Sequence, residues 1–316
     1  MSSLGHVLVL AGGLSYEREV SLRSGRRVAE VLRSKGVEVE TRDTDASLVP
    51  SILADPPDAV FVTLHGGSGE DGAIRSVLEL LSVPYVGAGP DACRVAYDKP
   101  TAKAVVRDWG LRTPDSVTLP KETFHDLGAS AVLARIVDRL GLPLFVKPSR
   151  GGSALGASIV RKAEELPAAM VGCFAYGDTA LIEKYIEGVE VAVSVVDLGD
   201  GPVALPPVEI VPDEGVYDYA ARYTAGHTEF FAPARLRPEV AESCLAMAVT
   251  AHEALGLRDV SRTDIIVDAD GNPYFLEVNV APGMTETSLL PMAAEAADRD
   301  LGTLCTRLLE IAASRG

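Results

Sequence analysis

The sequence predicts a mixed α/β and α+β protein whose N-terminal domain is a Rossmann-like parallel sheet. Three observations carry that expectation. Short apolar runs alternate with helical patterns over residues 1–96, the pattern of parallel strands joined by crossovers. A glycine-rich segment, KPSRGGSALG (147–156), lies between two strand patterns and does not open a helix. RTDIIVDADGNPYFLEVN (262–279) reads as a β-hairpin, because its apolar runs flank Asp270-Gly271, a dipeptide that favours a two-residue turn.

Taken in order, HVLVLAGG (6–13) is a short buried strand. A helix follows from about Glu17 to Ser34, with Val20, Val28, Val31 and Leu32 as its buried stripe. Strands at 37–43, 59–67 and 84–89 and a helix at 73–81 complete the alternation. Residues 98–110 form a helix ended by Gly110, and 136–160 reads helix, strand, glycine-rich loop, strand. LIEKYIEGVEVAVSVVD (181–197) supplies two strands around Gly188. The stretch 212–235 is polar and aromatic without a period, and a loop of that length in a compact domain reads as a lid. A helix at 238–256, the hairpin and a last helix at about 298–314 close the chain.

Composition narrows the function. Hydrophobic residues at 47% and charged residues at 23% describe a globular protein with substantial cores. A formal charge of −16 argues against nucleic acid as a partner. No apolar run nears the roughly 18 residues of a membrane helix, and the N-terminus lacks a signal-peptide pattern. Four scattered cysteines, with no CxxC pair, fit reduced thiols in the cytoplasm.

A two-residue turn at Asp270-Gly271 sets Asp264 opposite Glu277 and Arg262 opposite Asn279, all on one face of the ribbon. Facing carboxylates repel, so Asp264→Asn is expected to stabilise the metal-free protein. One or two Mg²⁺ ions between Asp264, Glu277 and Asn279 would turn the repulsion into attraction, since Mg²⁺ takes a few carboxylates plus phosphate oxygens and water. The bland alternative is a solvated ion network around Arg262. Residues 147–156 miss the P-loop lysine and precede a strand, so they read as a flap over phosphates, with Lys147 on the preceding strand. His65 ends a predicted parallel strand and Glu17 starts the first helix, both at the rim where open α/β sheets bind ligands.

In this order, GGLSYEREVSLRSG, LHGGSGEDGAIRSVLELLSVPYVGAG, AYDKPTAK, LFVKPSRGGSALGASIV, LIEKYIEG, YDYAARY and RTDIIVDADGNPYFLEVNVAPGMTETSLLP span nearly the whole chain. Together they resemble the D-alanine–D-alanine ligases of the ATP-grasp superfamily. The resemblance implies an ATP-grasp fold of three domains: 1–96 Rossmann-like, 97–183 small α+β, and 184–316 C-terminal with metal site and lid. It implies two Mg²⁺ (or Mn²⁺) ions held by Asp264, Glu277 and Asn279. ATP would be contacted by Lys99, Lys147, Glu183, Ile186, Glu190 and Arg222, with Glu183 on the adenine amino group and Glu190 on the ribose. Arg262 and the Gly283 amide would form the oxyanion hole. Glu17, Ser153 and Tyr223 would orient the first D-alanine beside His65, while Ser288 and Leu289 would hold the second. A homodimer is the expected assembly.

Three positions depart from the family pattern: Arg222 for lysine, Ala154 for serine and Val280 for threonine. Alternatives are a ligase using D-lactate, D-serine or an intramolecular amine, a non-catalytic ATP-binding protein, and an NAD-dependent oxidoreductase. Tyr223 favours D-alanine, the intact hairpin quartet favours catalysis, and the first strand lacks a convincing G-x-G-x-x-G.

Overall fold

The computed structural model describes residues 4–212 and 228–316. In chain order the strands are β1 His6–Leu10, β2 Glu38–Arg42, β3 Ala59–Val62, β4 Tyr85–Val86, β5 Ser116–Pro120, β6 Leu144–Pro148 and β7 Ser158–Val160. They continue as β8 Thr179–Lys184, β9 Val189–Asp197, β10 Pro202–Ala204, β11 Val208–Pro212, β12 Thr228–Phe231, β13 Val260–Val267 and β14 Pro273–Asn279. The helices are α1 Arg18–Ser34, α2 Leu48–Ala54, α3 Ala73–Leu80, α4 Pro90–Tyr97, α5 Lys99–Asp108 and α6 Lys121–Leu127. After them come α7 Ala129–Leu140, α8 Leu166–Phe174, α9 Pro238–Ala254, α10 Leu289–Ala296 and α11 Leu301–Ala313.

These strands build three sheets. The first is parallel, in the order β2-β1-β3-β4. Its central strand VLVL is wholly buried, as expected where helices cover both faces. The strand order reverses around β1 and β3, so the loops after them, carrying Glu17 and His65, meet at the switch point. The second sheet, β5-β8-β6-β7, is antiparallel and has a core of its own, including Leu133, Leu144, Val160, Met170 and Ile182. The third contains β12-β11-β9-β13-β14, with β10 on β9.

The large sheet shares its core with elements far away in the chain. Val196, Val208 and Ile210 pack with Val9, Val28, Leu32 and Phe61 of the first sheet and α1, and with Leu304 and Leu308 of α11. Its other face packs Val193 and Phe275 against α4, α5 and α9 through Ala96, Val106 and Cys244. Thus α5 lies on the large sheet, although it precedes the small one in sequence.

Two expectations change. Thr228–Phe231 is a strand paired with β11 and not part of an irregular loop; four residues after a polar run are too few to show a period in the sequence. The remainder of that proposed lid, including Arg222 and Tyr223, lies outside the described residues. Helices α2, α4, α6, α8 and α10 are additions, being short and containing or following a Pro.

Asp259 fastens the first sheet to the third. Buried and at φ +64°, it accepts the Gly87 N–H at 2.7 Å and bonds from the two terminal nitrogens of the Arg315 guanidinium at 2.7 Å. Arg258 Nε donates to the Gly87 carbonyl at 2.7 Å, closing the contact. Asn tolerates this left-handed backbone, so Asp259→Asn isolates the charge. It should cost about 1.5–3 kcal/mol, measured by chemical denaturation.

Candidate active site

The hairpin β13–β14 reaches the expected register by an unexpected route. Its turn is wider than Asp270-Gly271 alone: Asp268 N–H donates to the Asn272 carbonyl, and Gly271 N–H to the Asp268 carbonyl, each at 3.0 Å. That slips the pairing by one, placing Ile265 opposite Phe275. A bulge between Asp264 and Ile265 restores it, so Asp264 faces Glu277 and Arg262 faces Asn279. The extra residue is Leu276, and the bulge lets Leu276 and Glu277 line the same cavity.

This cavity, of about 450 Å³, lies between the small sheet and the large one. Asp264, Glu277, Lys99 and Lys147 stand at one part of its wall; Phe145, Ile159, Tyr185, Ile186 and Glu190 line another. The facing carboxylates are compensated by cations. Arg262 binds Asp264 through two bonds, Nε to Oδ1 at 2.7 Å and a terminal nitrogen to Oδ2 at 2.9 Å. Lys99 and Lys147 approach Glu277 Oε2 at 3.5 and 3.8 Å. Asn279 Oδ1 accepts the Ala281 N–H at 2.9 Å.

Glu183 lies between two lysines, Lys103 at 2.7 Å and Lys147 at 3.0 Å. Lys103, missed in the sequence, is 1% exposed and also donates to Thr113 Oγ1 and the Phe275 carbonyl. Its signal was the spacing Lys99–Lys103, one turn apart on α5, which buries both. Burial pushes Glu183 up, but Lys103 and Lys147 outweigh it and hold its carboxyl below the usual range. Burial lowers Lys103 to about 8, with Lys147 adding repulsion against the attraction of Glu183. Lys147 is buried too, yet Glu183 and Glu277 raise it. The two shifts differ in sign because Lys147 faces two carboxylates and Lys103 is in direct contact with one.

The N-terminal rim comes to the same place. Ser153 Oγ donates to Glu17 Oε1 at 2.6 Å across the sheets, and both residues are buried. Ser153 takes φ +54°, a strained conformation for a non-glycine residue. Gly66 and Gly152 leave room for the Glu17 carboxylate, since a Cβ on either would come within 2.0 or 2.6 Å of it. Lys99 Nζ donates to the Gly151 carbonyl at 2.5 Å. Gly283 meets the hydroxyl of Ser288, where a Cβ would come to 2.6 Å. Ser288 Oγ accepts the Thr285 N–H at 3.0 Å, immediately before α10 and Leu289. Thus Glu17 meets Ser153 and the glycines beside His65 and Ser153, and Gly283 meets Ser288, while Arg222 and Tyr223 lie outside the described residues.

Glu70 is a further buried acid that sequence reasoning did not single out. Burial pushes its carboxyl up to about 7, reinforced by the charge of Glu17. Its signal was GEDG next to His65, whose Nδ1 lies 3.9 Å from Glu70 Oε1. Burial likewise lowers His65 to about 4, so the ring is neutral near pH 7.

Two predictions follow from these charges. Asp264→Asn should lower the stability of the metal-free protein by about 1.5–3 kcal/mol, the reverse of the sequence expectation, because Arg262 loses its bidentate partner; thermal melts decide the sign. For Glu70 the folded state keeps a proton that the unfolded chain has released, so its contribution to stability falls as pH rises from about 4.5 to about 7. Glu70→Gln should therefore gain melting temperature relative to the parent at pH 8 compared with pH 5.

The chain matches the D-ala D-ala ligase C-terminus family over residues 105–310 and the D-ala D-ala ligase N-terminus family over residues 40–88. It is 41% identical over 307 residues to the D-alanine–D-alanine ligase of Anaeromyxobacter dehalogenans (strain 2CP-1 / ATCC BAA-258), covering 97% of this chain and 96% of that one. Among solved structures, the D-alanine–D-alanine ligase from Bacillus anthracis complexed with ATP superposes with a TM-score of 0.80 at 30% identity, covering 98% of this chain and 97% of that one. The VanG D-Ala:D-Ser ligase from Enterococcus faecalis gives a TM-score of 0.83 at 28% identity, covering 97% of this chain and 99% of that one. With an ATP-grasp fold and near-complete coverage of these relatives, the chain belongs to the D-alanine–D-alanine ligase family.

Proposed function

We propose that this protein joins two D-alanines into D-alanyl-D-alanine, converting ATP to ADP and phosphate, for peptidoglycan precursor synthesis in the cytoplasm. The observation that carries this reading is the hairpin quartet set against Lys99 and Lys147 in a cavity between two sheets. Among the described residues no helix is long and apolar enough to cross a membrane.

A carboxylate is a poor electrophile, so the first D-alanine must be activated as an acyl phosphate. ATP occupies the cavity, with its base along Phe145, Ile159 and Ile186, its ribose near Glu190 and its phosphates toward Lys99 and Lys147. These lysines neutralise charge that spreads over the transferred phosphoryl group. Glu183 holds the Lys147 ammonium in place through the 3.0 Å contact, a role the geometry favours over its expected bond to the adenine amino group.

Among the described residues no cluster of three His, Cys, Asp or Glu side chains could hold a metal ion. The donor set is instead two opposed carboxylates and one amide oxygen, a hard all-oxygen set that suits Mg²⁺ or Mn²⁺ with phosphates and water completing the shell. Asp264, Glu277 and Asn279 would hold two such ions, which supply charge neutralisation for the phosphates.

Glu17, fixed by Ser153, binds the ammonium of the first D-alanine, and Tyr223 completes that triad. Ser288 and the Leu289 amide at the start of α10 receive the carboxylate of the second. Its amine attacks the acyl phosphate, and the tetrahedral oxyanion forms between Arg262 and the Gly283 N–H. Collapse expels phosphate and leaves the dipeptide. Enclosure protects the acyl phosphate from water, and the expected assembly is a homodimer.

Incubation with ATP, Mg²⁺ and a panel of D- and L-amino and hydroxy acids tests the reading, with phosphate release and product mass followed together. D-Alanyl-D-alanine should dominate. Product only with D-lactate or D-serine would reassign the second substrate, and no substrate-dependent phosphate release would remove the ligase reading. Glu277→Gln should abolish nearly all turnover at saturating Mg²⁺ while keeping the parent's circular dichroism, since its lysine contacts are long.

A further inference from the structure

We propose that Ser24 is a positioning residue for ligation, aiming the Gly283 amide through a hydrogen-bond chain that it forms with His65. The proposal deepens the functional reading above and rests on its assignment of the Gly283 N–H to the oxyanion.

Ser24 lies on the inner face of α1 and is 0% exposed. Its Oγ accepts the Met284 N–H at 3.1 Å, from a residue 260 positions away. The same Oγ lies 3.1 Å from His65 Nε2. A buried hydroxyl proton without an acceptor is costly, and among the described residues His65 Nε2 is the acceptor within hydrogen-bond distance. Ser24 therefore donates to Nε2. The neutral ring then carries its own proton on Nδ1, the nitrogen that faces Glu70 Oε1 at 3.9 Å. The low proton affinity of the buried imidazole agrees with a neutral ring.

Ser24 thus holds the Met284 peptide from the N-terminal rim. Met284 directly follows Gly283, so fixing its N–H limits the freedom of the Pro282–Gly283 peptide, which carries the Gly283 N–H. His65 holds the Ser24 hydroxyl in turn. An oxyanion donor works by being aimed before charge develops, and small misplacements of reacting groups reduce rate steeply. The serine touches no proposed substrate atom and acts through Met284 and His65.

Ser24→Ala in the full chain tests this with two readouts. In steady-state ligation, kcat should fall by about tenfold to a hundredfold, with the KM for ATP within about twofold because Ser24 is not in the nucleotide cavity. In ¹⁵N spectra of imidazole-labelled protein, His65 should be neutral with its proton on Nδ1, and its Nε2 resonance should shift in Ser24→Ala. An active parent whose kcat is unchanged by the substitution, or a parent His65 protonated on Nε2, overturns the proposal and leaves the ligase reading standing. A rise in the ATP KM matching the loss in kcat also overturns it, since the defect would then be general. A parent that makes no D-alanyl-D-alanine removes the ligase reading, and the ligation role of Ser24 falls with it, whatever the spectra show.

Discussion

Asp264 and Glu277 are held face to face by strand pairing, and the cations around the cavity answer that placement. Two carboxylates directly opposed in a low-dielectric cleft repel strongly. Arg262 saturates one with a bidentate bond, and Lys99 and Lys147 lean toward the other. Lys147 is itself steadied by Glu183, and Glu183 by Lys103. The alternation of sign runs from the hairpin across the cavity into the small sheet. A triphosphate can enter by exchanging partners within an existing charge pattern, so no naked charge has to be created.

The other half of the cleft is governed by hydrogen bonds of long sequence separation. Glu17 reaches Ser153, and Ser24 reaches Met284. Both start from α1, whose first turns face the switch point of the parallel sheet. One helix thereby orients a glycine-rich turn from the middle of the chain and a backbone segment from its end. The glycines matter here for closeness: at 66, 152 and 283 a Cβ would strike Glu17 or Ser288.

Much of this was legible in the sequence, for identifiable reasons. The hairpin quartet followed from alternation and a turn dipeptide, yet its register was right because two departures cancelled, a wider turn and a bulge at Leu276. Period-two reasoning counts residues and cannot see a bulge. Strand–helix alternation placed His65 and Glu17 correctly at the rim. Lys103, Glu70 and Ser24 were not singled out in the sequence: spacing and a neighbouring histidine were faint signals for the first two, and what sets all three apart is burial and partners distant in sequence. A lysine in a helix, an acid in a glycine-rich loop and a serine in an amphipathic helix all read as surface. The Arg262–Asp264 contact was not legible either, for a related cause: strand pairing reveals the carboxylate opposite, whereas the rotamer that brings Arg262 onto its own neighbour two residues along is set by packing.

The distribution of cores has a mechanical consequence. The first sheet, the large sheet and α11 share one apolar interior and are fastened by Asp259 and Arg315 into a single block. The small antiparallel sheet keeps a separate interior. Its attachments to the block near the cleft are mainly polar, among them Ser153 to Glu17, Lys99 to the Gly151 carbonyl, Arg150 to Asp98 and the buried Lys103 to Glu183, with the Tyr16–Tyr176 ring contact beside them. Polar contacts of this kind exchange readily with water and ligand, whereas an apolar interior does not. The seam between the two interiors is therefore where partner exchange can loosen the cleft, while the apolar block behind it stays whole.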